Sequence, residues 1–298
     1  MIDFIRIHYD YTDELEAFIL DPDNFKEVLQ VYELHSNEIR YPYKGHFKNF
    51  EVVVNVSSGH IKNSLHKYFD LLQGGDGENH SDFSFSNVIK MIESLEERFV
   101  GLHHAKLTQL EFGLNIQIDM PARPIVKENI LMHKFNSPTI DTDFEGKGQY
   151  KQFNYRQYYI KTYDKALMYK VDNKNILRFE LKFISRKAFN KLGIMFLSDL
   201  KGKKNICRLF NYLLQKFDEM IIVDDFTEND NIPEVDLKQI EIYKSPIYWQ
   251  SLNDRNKRNT RMKSKKDFRR LLEKYNLLKI KAYIRELLIQ KFEELIST

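Results

Sequence analysis

Residues 110–116 (LEFGLNI) and 177–183 (LRFELKF) are the two stretches that decide the fold. In each stretch the apolar residues occupy every second position, a period typical of a β-strand that packs one face on a core. Glu111 and Glu180 therefore point to the opposite, polar face. If the two strands are neighbours in one sheet, both carboxylates converge over a shared polar surface. A solvated sheet face with ordinary Glu–Lys and Glu–Arg pairs across strands is the alternative interpretation.

Other segments extend this pattern into an α+β outline. Residues 87–99 have apolar side chains at helical spacing, with Ser86 in position to cap the helix. Residues 23–34 fit either a helix or an irregular segment. An apolar residue at every second position predicts strands over 2–9, 50–56, 107–118, 158–163 and 175–184. Apolar residues at helical spacing predict helices later in the chain, over 186–192, 204–220, 264–274 and 279–296.

Composition limits the classes of protein that this chain can be. Of its 298 residues, 42% are hydrophobic and 30% are charged, a balance typical of a globular protein. The one cysteine, Cys207, excludes a disulfide framework and a cysteine-based zinc site. No apolar run approaches the roughly 20 residues needed to span a bilayer. An acid at position 3 argues against a signal peptide, so we expect a cytoplasmic protein.

Two segments divide the chain and its charge. Residues 224–234 (DDFTENDNIPE) are the best linker candidate, and they separate residues 1–223 from residues 235–298. Residues 251–270 hold nine Lys or Arg against two Asp. Such a density indicates either contact with a phosphate backbone or a solvated helix face. The outline is a large α+β domain followed by a smaller, basic helical region.

A tyrosine-rich segment, residues 159–165 (YIKTYDK), is the other candidate for chemistry. In an extended chain Tyr159, Lys161 and Tyr163 share one face. A phenol with a pKa of about 10 is a weak nucleophile, so a nearby lysine or metal ion must favour the phenolate. Lys165 could supply that charge or stabilise a phosphate under attack. A purely structural strand is the alternative.

The two glutamates suggest a cation. Two close carboxylates repel each other unless a cation or a proton lies between them. Oxygen ligands in small number suit Mg²⁺ or Mn²⁺, which keep several waters and bind through substrate phosphates.

The order of these segments along about the first 200 residues resembles the replication initiators of filamentous phages, and less closely those of rolling-circle plasmids. The resemblance rests on the opening residues MID and on a set of short motifs in the same order: residues 53–65 (VVNVSSGHIKNSL), 110–112 (LEF), 159–165 (YIKTYDK), 177–180 (LRFE) and 186–199 (RKAFNKLGIMFLSD).

The resemblance implies a central antiparallel sheet flanked by helices, as in the nickases that carry a His-x-His metal motif. It also implies that Tyr163 attacks a phosphodiester, forms a 5′-phosphotyrosine bond and frees a 3′-hydroxyl, with Tyr159 as the second choice. Glu111 and Glu180 would then hold Mg²⁺ or Mn²⁺, and Lys165 would assist. No two histidines of this chain stand in a His-x-His arrangement, so the metal site must depend on carboxylates.

The resemblance also implies DNA, as origin duplex and single strand, as the partner, together with a host helicase and a polymerase. The residues assigned to DNA binding are His60, Lys62, Asn63, His66, Lys67 and Arg178 in the nicking domain, and Arg255, Lys257, Arg258, Arg261, Lys263, Lys265 and Lys266 in the basic region. Trp249 fits either base stacking or a core position. Two other functions stay open: a relaxase-like or transposase-like nickase, and a non-catalytic, sequence-specific DNA-binding protein.

Overall fold

The computed structural model describes residues 1–33, 35, 38–226 and 231–298. Within these residues the strands are β1 (Ile2–Tyr9), β2 (Val28–Glu33), β3 (Glu38–Phe47), β4 (Phe50–Val54), β5 (Gly59–Ser64), β6 (Lys106–Gln117), β7 (Ile130–His133), β8 (Ile140–Phe144), β9 (Gly148–Asn154), β10 (Tyr158–Asp164), β11 (Ile176–Phe183) and β12 (Met220–Ile222).

The helices are α1 (Asp13–Leu20), α2 (Leu65–Leu72), α3 (Phe85–Arg98), α4 (Ala122–Pro124), α5 (Lys165–Tyr169), α6 (Arg186–Asn190), α7 (Lys203–Asp218), α8 (Glu234–Lys244), α9 (Pro246–Ser251), α10 (Arg258–Lys274) and α11 (Lys279–Ser297). None of the helices in the described part of the chain combines the length and the apolar character needed to cross a bilayer.

Ten strands form one sheet in the order β2-β3-β4-β5-β1-β6-β11-β10-β9-β8, and each neighbouring pair is antiparallel. β7 and β12 form a separate antiparallel pair. The expected α+β fold, a central antiparallel sheet flanked by helices with a helical region at the C-terminal end, is confirmed.

One face of the sheet carries the main hydrophobic core. The apolar side chains that alternate along β1, β6 and β11 are buried there, and they share one cluster with residues of α1, α2, α3, α7 and α11. Burial of this apolar area is the main force that holds the helices on the sheet. The opposite face keeps the polar side chains of the same strands, as the alternation in the sequence predicted.

Residues 59–64, which include His60, Lys62 and Asn63, form the inner strand β5 between β4 and β1. Two local expectations were wrong. Residues 28–33 form the edge strand β2, paired with β3, rather than a helix or an irregular segment. Helix α3 begins after Ser84, whose hydroxyl accepts a bond from the Asn87 backbone N–H at 3.4 Å, and not after Ser86.

A second, smaller core joins α8, α9 and α10. Trp249 is fully buried in it beside Tyr243 and Phe268, and its indole N–H donates to the Tyr243 carbonyl at 2.6 Å. Trp249 is therefore a core residue and does not stack on bases.

Helix α11 belongs to the main core instead, because Ile284 and Leu288 are buried in the main cluster. Asp224, at the start of the expected linker, accepts backbone N–H bonds from Lys279 at 2.8 Å and Ile280 at 3.0 Å. The predicted linker over 224–234 therefore begins at a residue with fixed contacts, and its residues 227–230 lie outside the described residues.

Candidate functional site

The centre of the polar face is built by the register of three strands. β6 and β11 are neighbours, with Glu111 opposite Lys182 and Gly113 opposite Glu180. On the other side of β11, Lys161 of β10 stands opposite Glu180. The two glutamates therefore converge on one polar surface, as their positions in the alternating pattern predicted.

Gly113 allows this convergence. A β-carbon at position 113 would lie 2.3 Å from the β-carbon of Glu180 and 2.8 Å from the Phe179 carbonyl oxygen. Real side chains do not approach so closely. A glycine between Glu111 and Asn115 therefore leaves the space in which the Glu180 side chain can stand.

Asp3 is a third carboxylate in the same cluster. Oxygen atoms of Asp3, Glu111 and Glu180 lie within 4.8 Å of one another, and all three residues are buried. A register shift between Ile2 and Ile5 interrupts the alternation of β1. This irregularity places Asp3 with the polar cluster although Ile5 and Ile7 point into the core.

Polar neighbours fix the Asp3 carboxylate. Ser64 donates its hydroxyl to Asp3 Oδ1, and Asn79 donates its amide to Asp3 Oδ2 at 2.6 Å. The sequence analysis missed Asp3, Ser64 and Asn79 as site residues. Only Asp3 left a signal, an acid inside an apolar strand, whereas Ser64 and Asn79 stand in segments without a diagnostic pattern.

Basic side chains pair with every carboxylate of the cluster. Lys161 Nζ donates to Glu111 Oε1 and to Glu180 Oε1, at 3.0 Å each. Lys182 Nζ lies 2.9 Å from Glu111 Oε1. Arg178 donates to Glu180 Oε2 at 2.6 Å and to Asp3 Oδ2 at 3.2 Å. Buried charges are tolerated only when they are paired in this way.

These pairs keep Glu180 and Lys161 ionised. Burial by itself would raise the pKa of Glu180, but Lys161 and Arg178 outweigh it and hold the pKa of that carboxyl well below its usual range. Burial would lower the pKa of Lys161, whereas Glu180 and Glu111 raise it above the usual lysine value. Both groups are therefore charged at neutral pH.

Tyr163 and Lys165 form a second pair beside the cluster. Lys165 Nζ lies 3.5 Å from Tyr163 Oη and donates to Asn79 Oδ1 at 2.7 Å. Burial and the charge of Glu180 raise the pKa of Tyr163 well above its usual value. Burial and Arg178 lower the pKa of Lys165 to about 7. The Tyr163 phenol is thus hard to ionise. The adjacent Lys165 amine is partly neutral at pH 7, and the neutral form can accept a proton.

A cavity of about 460 Å³ lies beside Tyr163. Tyr163 lines it together with Lys161, Glu180, Phe144 and Tyr150. Tyr159 lies four residues before Tyr163 on the same face of β10, which is roughly 13 Å along an extended strand. It is half-buried and does not line this cavity. Of the two candidate nucleophiles, Tyr163 is therefore the one that lies next to both the carboxylates and an open space.

The structure separates the DNA-binding candidates of the α+β domain into two groups. His60 and Lys62 are partly exposed on the polar face, where Lys62 Nζ pairs with Glu51 at 2.9 Å. Asn63 bonds the Asn49 carbonyl at 2.5 Å, and Lys67 lies 5.9 Å from the Tyr169 ring centre.

Two candidates of that domain are inaccessible. His66 and Arg178 are each 2% exposed. The His66 ring stacks on Phe83 with a centroid distance of 4.8 Å. Arg178 is held by the carboxylates of Glu180 and Asp3.

The basic candidates of the C-terminal region lie on or just before α10. Most of them are exposed: Arg255, Lys257, Arg258, Lys263 and Lys266. Lys265 is partly buried, with Nζ 4.6 Å from the Phe135 ring centre. Arg261 donates to the Asn253 side chain. An exposed row of this kind suits the sequence-independent attraction of a phosphate backbone.

No protein-family model matches the sequence, and a search of curated proteins finds no significant match. Among solved structures, this chain is similar to a rolling circle replication initiator protein from Geobacillus stearothermophilus. The two share 10% sequence identity, the alignment covers 78% of this chain and 89% of that chain, and the TM-score is 0.43.

Proposed function

We propose that this protein nicks DNA by tyrosine transesterification and initiates rolling-circle replication. The observation that carries the proposal is the position of Tyr163. Its hydroxyl lies 3.5 Å from the Lys165 amine, and it lines the same cavity as Lys161 and Glu180. A nucleophile and a cation that can face a phosphate thus lie at one opening, and a base lies beside the nucleophile.

In this reaction the Lys165 amine takes the phenolic proton and Tyr163 Oη attacks the phosphorus of a phosphodiester. A bond forms between Oη and phosphorus, and the bond from phosphorus to the 3′ oxygen breaks. The 3′ oxygen leaves as a hydroxyl after it takes a proton from solvent, and the 5′ phosphate stays on the tyrosine. The released 3′-hydroxyl would serve a polymerase, with a helicase to unwind the duplex.

The donor set fits a divalent ion of the Mg²⁺ or Mn²⁺ class. Asp3, Glu111 and Glu180 offer hard oxygen ligands within 4.8 Å of one another, and these three residues would hold the ion. When bound, it would polarise the phosphate as a Lewis acid.

Single-stranded DNA would cross the polar face, where His60 and Lys62 are partly exposed, and the duplex of an origin would meet α10. We leave His66 and Arg178 out of the DNA-contacting set because both are buried. Asn63 would act indirectly, through its hydrogen bond to the Asn49 carbonyl in the turn between β3 and β4. Lys67 would act through its contact with the Tyr169 ring.

The test mixes the purified protein with supercoiled DNA that carries its own replicon, in Mg²⁺, in Mn²⁺ and in EDTA. We expect relaxed circles and a protein–DNA adduct that survives SDS, with the modified peptide containing Tyr163. Tyr163→Phe should remove the adduct, and Tyr159→Phe is the matched control that should keep most of it. An adduct mapped to Tyr159 would show that Tyr159, and not Tyr163, is the nucleophile.

A non-catalytic DNA-binding protein is the second candidate. It is favoured by the complete pairing of the buried carboxylates, since such a network also serves as plain structure. Under that function the protein binds its origin without a nick or adduct in any metal, and Tyr163→Phe changes nothing. A relaxase-like or transposase-like nickase would share the chemistry of Tyr163 and differ only in the DNA that it selects.

A further inference from the structure

Lys161 stands at the point that a metal ion would need. Its ammonium touches one oxygen of Glu111 and one oxygen of Glu180, both at 3.0 Å. Among the described residues of the cluster, Lys182 makes no comparable bridge, because its ammonium pairs with Glu111 alone, at 2.9 Å. In the described structure Lys161 is therefore the cation that screens the two glutamates from each other.

The Lys161 ammonium and a metal ion cannot both bind these glutamate oxygens at the same time. A Mg²⁺ or Mn²⁺ ion binds oxygen at roughly 2.0–2.2 Å, much closer than an ammonium does. An ion between Glu111 and Glu180 would then lie within a few ångströms of Lys161 Nζ, where like charges repel strongly because the site is largely shielded from water. One cation must leave when the other arrives.

Lys161 has a place to go. Its side chain lines the cavity of about 460 Å³ in front of Tyr163, and its side chain is 15% exposed on that side. Tyr163 lies two positions further along β10, so the two side chains share one face of the strand. A lysine with four rotatable methylenes can turn its ammonium into that cavity without a change in the backbone.

We propose that Lys161 and a divalent metal ion compete for one position between Glu111 and Glu180, and that ion binding turns Lys161 toward the cavity in front of Tyr163. Lys161 is thus a positioning residue that lowers the affinity for metal in the DNA-free protein. The displaced ammonium faces the phosphate that Tyr163 attacks, a part of the inference that rests on the proposed function.

The experiment measures Mn²⁺ binding to the DNA-free protein by electron paramagnetic resonance, which counts free Mn²⁺ directly. Lys161→Met removes the competing charge and keeps the length of the side chain. We expect Lys161→Met to bind Mn²⁺ at least tenfold more tightly than the wild type. Lys182→Met is the matched control, because Lys182 contacts only one glutamate, and it should change the affinity less than threefold.

An unchanged or weaker affinity in Lys161→Met would overturn the competition, as would an equal gain in Lys182→Met. Absence of Mn²⁺ binding at millimolar concentration in both the wild type and Lys161→Met would also overturn it. These outcomes are independent of nicking, so a protein that never nicks DNA but shows the tenfold gain would contradict the proposed function and support the competition.

A second measurement uses the wild type alone, in case the variant folds poorly. Crystals soaked in MnCl₂ should show an anomalous peak between Glu111 and Glu180 with Lys161 Nζ moved into the cavity. A peak there with Lys161 still bonded to both glutamates, or a peak elsewhere only, would overturn the proposal.

Discussion

Two regions of this molecule are rich in charge, and they use it in opposite ways. At the centre of the sheet, Arg178 and Glu180 are each 2% exposed and bonded at 2.6 Å. On α10, basic residues such as Lys263 and Lys266 are exposed to solvent. The sheet cluster balances acids with bases, whereas α10 has an excess of one sign.

The contrast separates geometry from attraction. A buried charge must be held by specific partners, so its position is fixed and it can direct chemistry on one atom. An exposed charge is screened and mobile, so it attracts a polyanion without fixing its register. Substitutions should therefore have large and specific effects in the sheet cluster, and small, roughly additive effects on α10.

The largest effect is expected from removal of a buried acid. Glu180→Ala leaves Arg178 and Lys161 without their main partner, and loss of one member of a buried pair costs about 3–5 kcal/mol. The matched control on α10 is Glu273→Ala, at an exposed position, which should stay within about 0.5 kcal/mol. Urea unfolding of both variants measures the difference. A loss of unfolding free energy below about 1 kcal/mol for Glu180→Ala would mean that the cluster tolerates substitution as exposed positions do.

The next effect concerns the base beside Tyr163. Lys165→Met should slow adduct formation about 100-fold, the usual contribution of a general base. The pKa of Lys165 is lowered to about 7, and a base works in its neutral form. The wild-type rate should therefore fall as pH drops below about 7 and level off above it, and Lys165→Met should lose this dependence.

Burial is the main cause of this lowered pKa, and the charges of Arg178, Asp3, Glu180 and Lys67 modify it. The rings of Tyr163 and Tyr169 lie beside the ammonium. Single-turnover adduct formation between about pH 5.5 and 9 gives the profile. The exposed Lys170 of the same segment supplies the control variant Lys170→Met, which should keep the wild-type profile. A flat wild-type profile would exclude Lys165 as the base.

A smaller loss of stability is expected when a side chain is added at Gly113, where β6 lies against β11. In Gly113→Ala the new β-carbon would meet Glu180 at 2.3 Å, so β6 and β11 must shift apart. Overpacking of this kind costs about 1–3 kcal/mol. We expect a lower free energy of unfolding together with loss of adduct formation, because the Glu180 carboxylate moves. Wild-type adduct formation in Gly113→Ala would show that the carboxylate position is not critical.

The smallest effects are expected on α10. Lys266→Gln should weaken duplex binding a few-fold and lower the slope of log affinity against log salt by about 0.9, the value for one phosphate contact. Its free energy of unfolding should stay within about 0.5 kcal/mol. Lys238→Gln on α8, at an exposed lysine paired with Glu234, is the control and should leave the salt slope unchanged. An unchanged slope in Lys266→Gln as well would remove α10 from the DNA interface.

Local sequence pattern was sufficient to predict secondary structure where a segment had a clear side-chain period. The strict alternation in 110–116 and 177–183 predicted β6 and β11 and the side to which Glu111 and Glu180 point. The mixed composition of residues 23–34 and 55–65 gave no period, and there the edge strand β2 and the inner strand β5 were missed. Strand pairing with distant segments, rather than local propensity, decides those regions.

The sequence by itself determined the fold class, the polar face of the central strands and the two charge-rich regions, because these follow from side-chain period and composition. The tertiary structure alone decided that Asp3 joins Glu111 and Glu180, since the alternation of β1 would send Asp3 into the core without the register shift. It alone also decided that Lys161 bridges the glutamates and that Asn79 links Asp3 to Lys165. These contacts join residues far apart in the chain, and their distances depend on the register of several strands at once.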